Sequence, residues 1–184
     1  MGDVEVIKNW PGGGEGNLKT PSRLAYPDET RTGPKNTKWG FDVPPNKTSY
    51  SWTKLLLDPS AKSTTHDDPA LMEKVFGQGW MKLPPGKTAQ DVCRDYLAQV
   101  YQYTMFKLEA MYPGALEFTP MEFWITVPAI WSDTAKAATR NAALEAGFGS
   151  RPGDHLFMIT EPEAAALASL VESVDSHSNP ISVC

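Results

Sequence analysis

Apolar positions run along this chain in three different rhythms, and each change of rhythm marks an element. Phe123 to Val127 is a short, almost wholly apolar run with three β-branched residues, which predicts a strand buried on both faces. Pro128 ends it, because proline has no N–H to give to a ladder. Ser132 and Asp133 then supply capping chemistry for a helix on which Ala135, Ala138, Ala142 and Ala146 share one face. Such a stripe lets a helix lie close to a sheet, and Gly147 stands where a left-handed C-cap belongs. A Gly/Pro loop leads to a second strand, Leu156 to Ile159. Thr160-Glu161-Pro162-Glu163 reads as a capping box with proline in the first turn, opening an alanine-rich helix. The pattern is one β-α-β-α unit of a packed sheet, so the fold class is α/β.

The longest helix is expected from Thr88 to Tyr112. Thr88 can cap it with Asp91 three residues on, and Val92, Tyr96, Leu97, Val100, Tyr101, Thr104, Leu108 and Met111 recur at three and four residues. At that spacing Tyr96, Tyr101 and Tyr103 read as core or partner-facing packing. Pro113-Gly114 stops the helix. Upstream the signal is weaker. Met1 to Lys8 alternates as a short strand, Leu24-Ala25-Tyr26 and Trp39-Gly40-Phe41 are strand candidates, and Lys54 to Leu57 is a brief apolar piece. Asp58 to Pro69 is polar and reads as a loop, Ala70 to Phe76 as a short helix. Val171 to Cys184 has lost all periodicity and is expected to be a disordered tail.

Composition narrows the class. The 184 residues, 41% of them hydrophobic, suit one domain or a large part of one. A net charge of −5 without any Lys/Arg block argues against a nucleic-acid partner. No apolar run approaches ~18 residues, so no membrane span is expected. The N-terminus has no basic-then-apolar signal, and two cysteines, Cys93 and Cys184, make no disulfide framework. A cytoplasmic or nuclear location is the expectation. Asn46-Lys47-Thr48, a formal sequon, reads as chance in that setting.

Three tempting motifs fail on chemistry. Gly12-Gly13-Gly14-Glu15-Gly16 leads into Asn17-Leu18-Lys19-Thr20-Pro21, whereas a phosphate loop needs Gly-Lys-Ser/Thr opening a helix; a hairpin turn is the better reading. His66-Asp67-Asp68 lacks a second ligand cluster and reads as a solvated loop. Ser150, between Gly149 and Gly153, has neither the spacing nor the incoming strand of a nucleophile elbow.

Two separated motifs carry a resemblance. Ile125-Thr126-Val127-Pro128-Ala129 with the Asp133 helix, and Glu161-Pro162-x-Ala164-Ala165-Ala166, resemble the actin-like ATPase domain of the 70-kDa heat-shock chaperone family. Ala129-Ile130-Trp131-Ser132-Asp133 and Leu83-Pro84-Pro85-Gly86-Lys87-Thr88 are closer to its divergent heat-shock 70-kDa protein 12 type and fungal chaperone-like relatives. Val4-Glu5-Val6-Ile7 followed by Thr20-Pro21-Ser22 is similar to the family's third strand and the turn after it.

The resemblance implies an actin-like, ribonuclease H-like fold. Residues 1–171 would be part of one lobe, with 20–118 a helical peripheral subdomain and 119–171 the core unit. It implies ATP and Mg²⁺ in the parent family. Glu161 would contact the Mg²⁺ water shell, while Pro128 and Lys136 would sit at the nucleotide switch; Lys136 stands where the chaperones carry arginine. A lysine keeps that charge but loses the bidentate fork. The family's catalytic lysine would fall at Pro44, with Lys47 near but not equivalent. Each of these residues has a plainer reading. Glu161 suits the first turn of a helix, Pro128 ends its strand, and Lys136 can be a solvated helix residue. The chain contains neither an Asp-x-Gly-Thr nor an Asp-x-Gly-Gly-Gly-Thr sequence. A fragment that holds no ATP alone is therefore expected, with a non-catalytic protein-interaction module as the alternative. A protein partner or client, and self-association, are the partner classes this implies.

Overall fold

The computed structural model describes residues 5–27, 36–58 and 82–175, with side chains to residue 170. Its strands form two small sheets. In the first, β1 (Arg23–Ala25) is flanked by antiparallel β2 (Lys38–Trp39) and β3 (Tyr50–Ser51), so that Leu24 faces Trp39 on one side and Tyr50 on the other. Short 3₁₀ turns, Gly40–Asp42 and Thr53–Leu57, follow β2 and β3.

In the second sheet, β4 (Glu122–Val127) and β5 (His155–Thr160) run parallel, Phe123 opposite Leu156 and Val127 opposite Thr160. Before β4 comes the long helix α1 (Ala89–Met111); α2 (Asp133–Ala146) makes the crossover to β5, and α3 (Glu161–Asp175) follows it. The architecture is mixed α/β.

Local chemistry sets the helix ends. At α1 the Asp91 N–H donates to Thr88 Oγ1 (3.1 Å) while the Thr88 N–H donates to Asp91 Oδ2 (2.9 Å), a reciprocal box. At the far end the Tyr112 N–H closes the last turn on the Leu108 carbonyl at 2.8 Å, ahead of Pro113. Ser132 Oγ accepts from the Ala135 N–H at the start of α2, and Gly147 ends it with φ of 116°. A Cβ there would also lie 2.7 Å from the Tyr101 ring, so glycine answers both backbone and space.

The core collects around α1 and α2, which pack along one another. Ala143, Ala146 and Phe148 meet Tyr101, Phe123 and Leu156 in one cluster; Leu57, Val127, Trp131 and Ala135 form a second. A third joins Leu24, Trp39 and Val92 to Trp10, Tyr96 and Tyr103, and edge-on ring contacts link Trp39 to Trp10, Tyr96 and Tyr103. The tyrosines of α1 therefore serve the core.

A polar clamp joins α1 to the loop after β1. Asp95 accepts from Tyr26 OH (2.8 Å), Lys87 Nζ (2.7 Å) and Arg94 Nη2 (2.8 Å), and the Lys87 ammonium lies 4.8 Å from the Tyr26 ring centre. Burial pushes the Asp95 carboxyl up, but the hydrogen bonds from Lys87, Arg94 and Tyr26 outweigh it and hold the group below the ordinary carboxylate range.

Several expectations need correction. Residues 5–10 form no strand. The Gly12–Gly16 loop is not a hairpin turn, since no ladder flanks it; it lies on Phe41 and Asp42 instead. Trp39 ends its strand, because Gly40, with φ of 59°, turns the chain into a 3₁₀ segment rather than extending it. Strand β4 is not buried on both faces: Trp124 is 58% exposed and Thr126 is open, because only one face is covered by helices. The buried positions of α2 are Ala135, Thr139, Ala142, Ala143 and Ala146, with Ala138 only half covered. Helix α3 runs on through Asp175, past the point where periodicity fades. Val4, His66-Asp67-Asp68, the 70–76 helix and residues 176–184 lie outside the described residues. Among the described residues no helix is long and apolar enough to cross a membrane.

Candidate functional site

Parallel strands that are followed by helices put their carboxyl ends and the helix N-termini on one edge, the usual position for ligand chemistry in α/β folds. The parallel register of β4 and β5 brings Val127 opposite Thr160, so Pro128 and Glu161 follow their strands at the same edge. Lys136 lies one turn into α2, its ammonium 3.9 Å from Asp133 Oδ1. All three residues singled out from the sequence thus belong to this edge, Pro128 just after β4, Lys136 on α2 and Glu161 at the start of α3.

Lys54, from the 3₁₀ turn after β3, completes the edge. Its Nζ is 3.9 Å from Glu161 Oε1, both side chains being half exposed. The pair is solvated and contributes little stability, on the order of 0–1 kcal/mol for such contacts. Pro44, the position that the resemblance gives to a catalytic lysine, forms a turn with the nearby Lys47, whose N–H donates to the Pro44 carbonyl at 3.2 Å. Nothing in the spacing of the sequence singles out Lys54; only the fold carries it across 107 residues to Glu161.

Asp58 is the second residue that sequence reasoning passed over. It is 5% exposed, and its carboxylate accepts from the Ser132 N–H (3.0 Å) and the Ser132 hydroxyl (3.1 Å). A buried carboxylate here neutralises orphan donors and the positive end of the α2 dipole. At α3 the Glu163 carboxylate closes the N-terminus in the same manner. It accepts from the Thr160 N–H (3.0 Å) and hydroxyl (2.7 Å), which hold it below the ordinary carboxylate range, with Lys136 adding a smaller pull. Each of the two helices thus has an acidic side chain bonded to its cap residue.

That arrangement bears on ATP and Mg²⁺. Four carboxylates, those of Asp58, Asp133, Glu161 and Glu163, belong to this edge. Magnesium requires several oxygen ligands in octahedral array. Among the described residues no group of three His, Cys, Asp or Glu side chains is placed to hold a metal ion.

Behind the edge lies a cavity of about 570 Å³, between the first sheet, α1, β4 and α2. Pro128, Trp131 and Lys54 line it together with Tyr50, Cys93 and Ile125. Neither Pro44 nor Lys47 reaches it.

The chain is similar to Heat shock 70 kDa protein 12A of Homo sapiens, 26% identical over 178 residues that cover 89% of this chain and 24% of that protein. Against Heat shock 70 kDa protein 12A of Mus musculus it is 28% identical over 176 residues, again 89% of this chain and 24% of the relative. The chain thus spans about a quarter of the length of the curated relatives it matches. No family model matches. The similarity supports a link to the 70-kDa heat-shock family over most of the chain.

Proposed function

We propose that this polypeptide is part of an actin-like ATPase domain of the 70-kDa heat-shock type, of the divergent branch, and that it holds no Mg-ATP by itself. The observation that supports the reading best is the placement of Pro128 and Glu161. The similarity to Heat shock 70 kDa protein 12A runs across 89% of the chain, and both residues follow adjacent parallel strands at one edge, where a nucleotide phosphate would be met in an α/β fold. In that setting residues 119–171 are the core unit and 20–118 the peripheral subdomain. Glu161 would orient water on a Mg²⁺ held by other groups, Lys54 would place a cation beside it, and Pro128 and Lys136 would report the nucleotide state. Catalysis of phosphoryl transfer is positioning and charge neutralisation. The 184 residues contain no Asp-x-Gly-Thr sequence to position phosphate, and the cap residues of both helices already bond a carboxylate, Asp58 or Glu163.

Calorimetric titration of the chain with Mg-ATP tests this. No saturable heat is expected. A micromolar dissociation constant abolished by EDTA would overturn it.

A second reading has an observation of its own. The face of β4–β5 turned away from the helices carries Trp124 and Phe157 stacked at 4.6 Å between ring centres, with His155 beside them. Ile130 is exposed nearby in the chain, and α3 leaves Leu167 and Leu170 exposed. An aromatic face of this kind suits a protein-interaction module that binds another polypeptide.

A further inference from the structure

The cavity behind the strand edge is walled mostly by apolar and aromatic side chains, among them Leu57, Val92, Ile125, Tyr50 and Trp131. Its volume of about 570 Å³ lies in the range of small-molecule sites. The two cations beside it are engaged elsewhere. Arg23 is held by the Gly40 and Val43 carbonyls (2.9 and 3.2 Å), on the β2 side of β1, and Lys54 pairs with Glu161 at the strand edge (3.9 Å). A charged occupant would lose hydration with no counter-charge in return. The walls suit a neutral molecule.

Two adjacent residues of the wall go beyond apolar packing. Thr53 is 8% exposed, and among the described residues its hydroxyl has one hydrogen-bond contact, the long one of 3.8 Å to the Cys93 thiol. Sulfur is a weak donor and a weak acceptor, so this buried hydroxyl keeps unused hydrogen-bonding capacity. Both Thr53 and Cys93 line the cavity. Trp52 lines it too, half exposed, with its backbone in the left-handed region at φ of 62°. Bulky residues rarely adopt that conformation, and outliers of this kind gather at ligand clamps. Side by side in the chain, Trp52 gives an indole surface and Thr53 a hydroxyl to the same space.

We propose that the cavity binds a small neutral aromatic molecule carrying one hydroxyl or carbonyl group, its ring against Trp52 and its polar group hydrogen-bonded to Thr53. The site uses neither Glu161 nor Lys136 and stands apart from any nucleotide chemistry at the strand edge. Cys93, beside Thr53 in the same wall, serves as a built-in reporter of occupancy.

The experiment uses the full chain at neutral pH. The probe is 2-naphthol, with naphthalene as the analogue lacking the hydroxyl and 2-naphthoate as the charged one. Affinity is measured by equilibrium dialysis, and protection of Cys93 from N-ethylmaleimide, followed by mass spectrometry of the peptide that carries it, locates the site. The 2-naphthol is expected to protect Cys93 and to bind about fivefold more tightly than naphthalene, the scale of one net hydrogen bond, and more tightly than 2-naphthoate. Thr53→Val keeps the shape and removes the hydroxyl, so it should erase the preference over naphthalene while leaving naphthalene binding in place. Trp52→Asn tolerates the left-handed backbone and removes the indole, so it should weaken both probes. Cooperative urea unfolding shows whether each variant folds; if Trp52→Asn does not, Thr53→Val decides. Unprotected Cys93, equal affinity for 2-naphthol and naphthalene, tighter binding of 2-naphthoate, unchanged preference in Thr53→Val, or undiminished binding by folded Trp52→Asn would each overturn the proposal.

Discussion

The carboxylate of Asp58 accepts both the backbone N–H and the hydroxyl of Ser132, at 3.0 and 3.1 Å, across 74 residues of chain. It ties the end of the second 3₁₀ turn to the first turn of α2 and orients the hydroxyl that caps the helix. Asp58→Ala should cost about 1–3 kcal/mol, because Ser132 then keeps unsatisfied donors in a part-buried place. Asp58→Asn should cost less, since the amide oxygen can still accept. Ser132→Ala alone should cost about 1 kcal/mol as a lost cap. The two losses should not add, because the residues act as one unit. Urea denaturation of the double-mutant cycle measures this, and additive losses would show that the contact carries no coupling.

Ala142 has no exposed surface, whereas its neighbour Asn141 faces solvent. Ala142→Leu should overpack the contact of α2 with its neighbours and cost about 1–3 kcal/mol, while Asn141→Leu stays near neutral. Equal tolerance in a denaturation series would mean that α2 is rotated from the orientation described.

Asp154 has a fully buried carboxylate bonded by Arg151 through Nε (2.9 Å) and Nη2 (3.0 Å) and by the Met121 N–H (2.9 Å). Arg151 in turn donates to the Leu116 and Thr119 carbonyls, fastening the loop before β5 to the one before β4. The Arg151 hydrogen bonds foremost, with Met121 assisting against the effect of burial, hold the carboxyl below the ordinary carboxylate range. A folded-state value below the unfolded value of about 3.9 contributes stability above that pH, which is lost as pH falls through the folded value. The acid limb of the stability profile should therefore be shallower in Asp154→Asn, which should also be less stable at neutral pH. Parallel acid limbs in urea titrations of both proteins would assign the acid sensitivity elsewhere, with Asp95 the next candidate.

Trp124 and Phe157 offer stacked aromatic surface on a sheet that, among the described residues, has two strands, each with one unpaired edge. Such surface favours association. The chain alone should self-associate with rising concentration in sedimentation equilibrium. Trp124→Lys, which places a charge on the open face, should shift it toward monomer without loss of fold. A wild-type chain that stays monomeric at all concentrations would remove this face as an interaction surface.

The sequence by itself determined the local features. Thr88 with Asp91, Ser132, Gly147 and Thr160 with Glu163 all act through neighbours within four residues, so their capping chemistry is written in adjacent letters. The β-α-β-α unit followed from the same logic, since period and punctuation are local. Where the sequence misled, the deciding contact was remote. The apolar look of Phe123 to Val127 does not reveal which face receives a helix, and the stripe through Ala138 had to yield to the combined surface of α1 and the sheet, which buries Thr139 and Ala143 instead. Only the tertiary structure brought Lys54 to Glu161 and Asp58 to Ser132. A single side chain in a polar or irregular stretch has no periodicity to betray it, and its role comes from the charge, donor or surface that folding sets beside it.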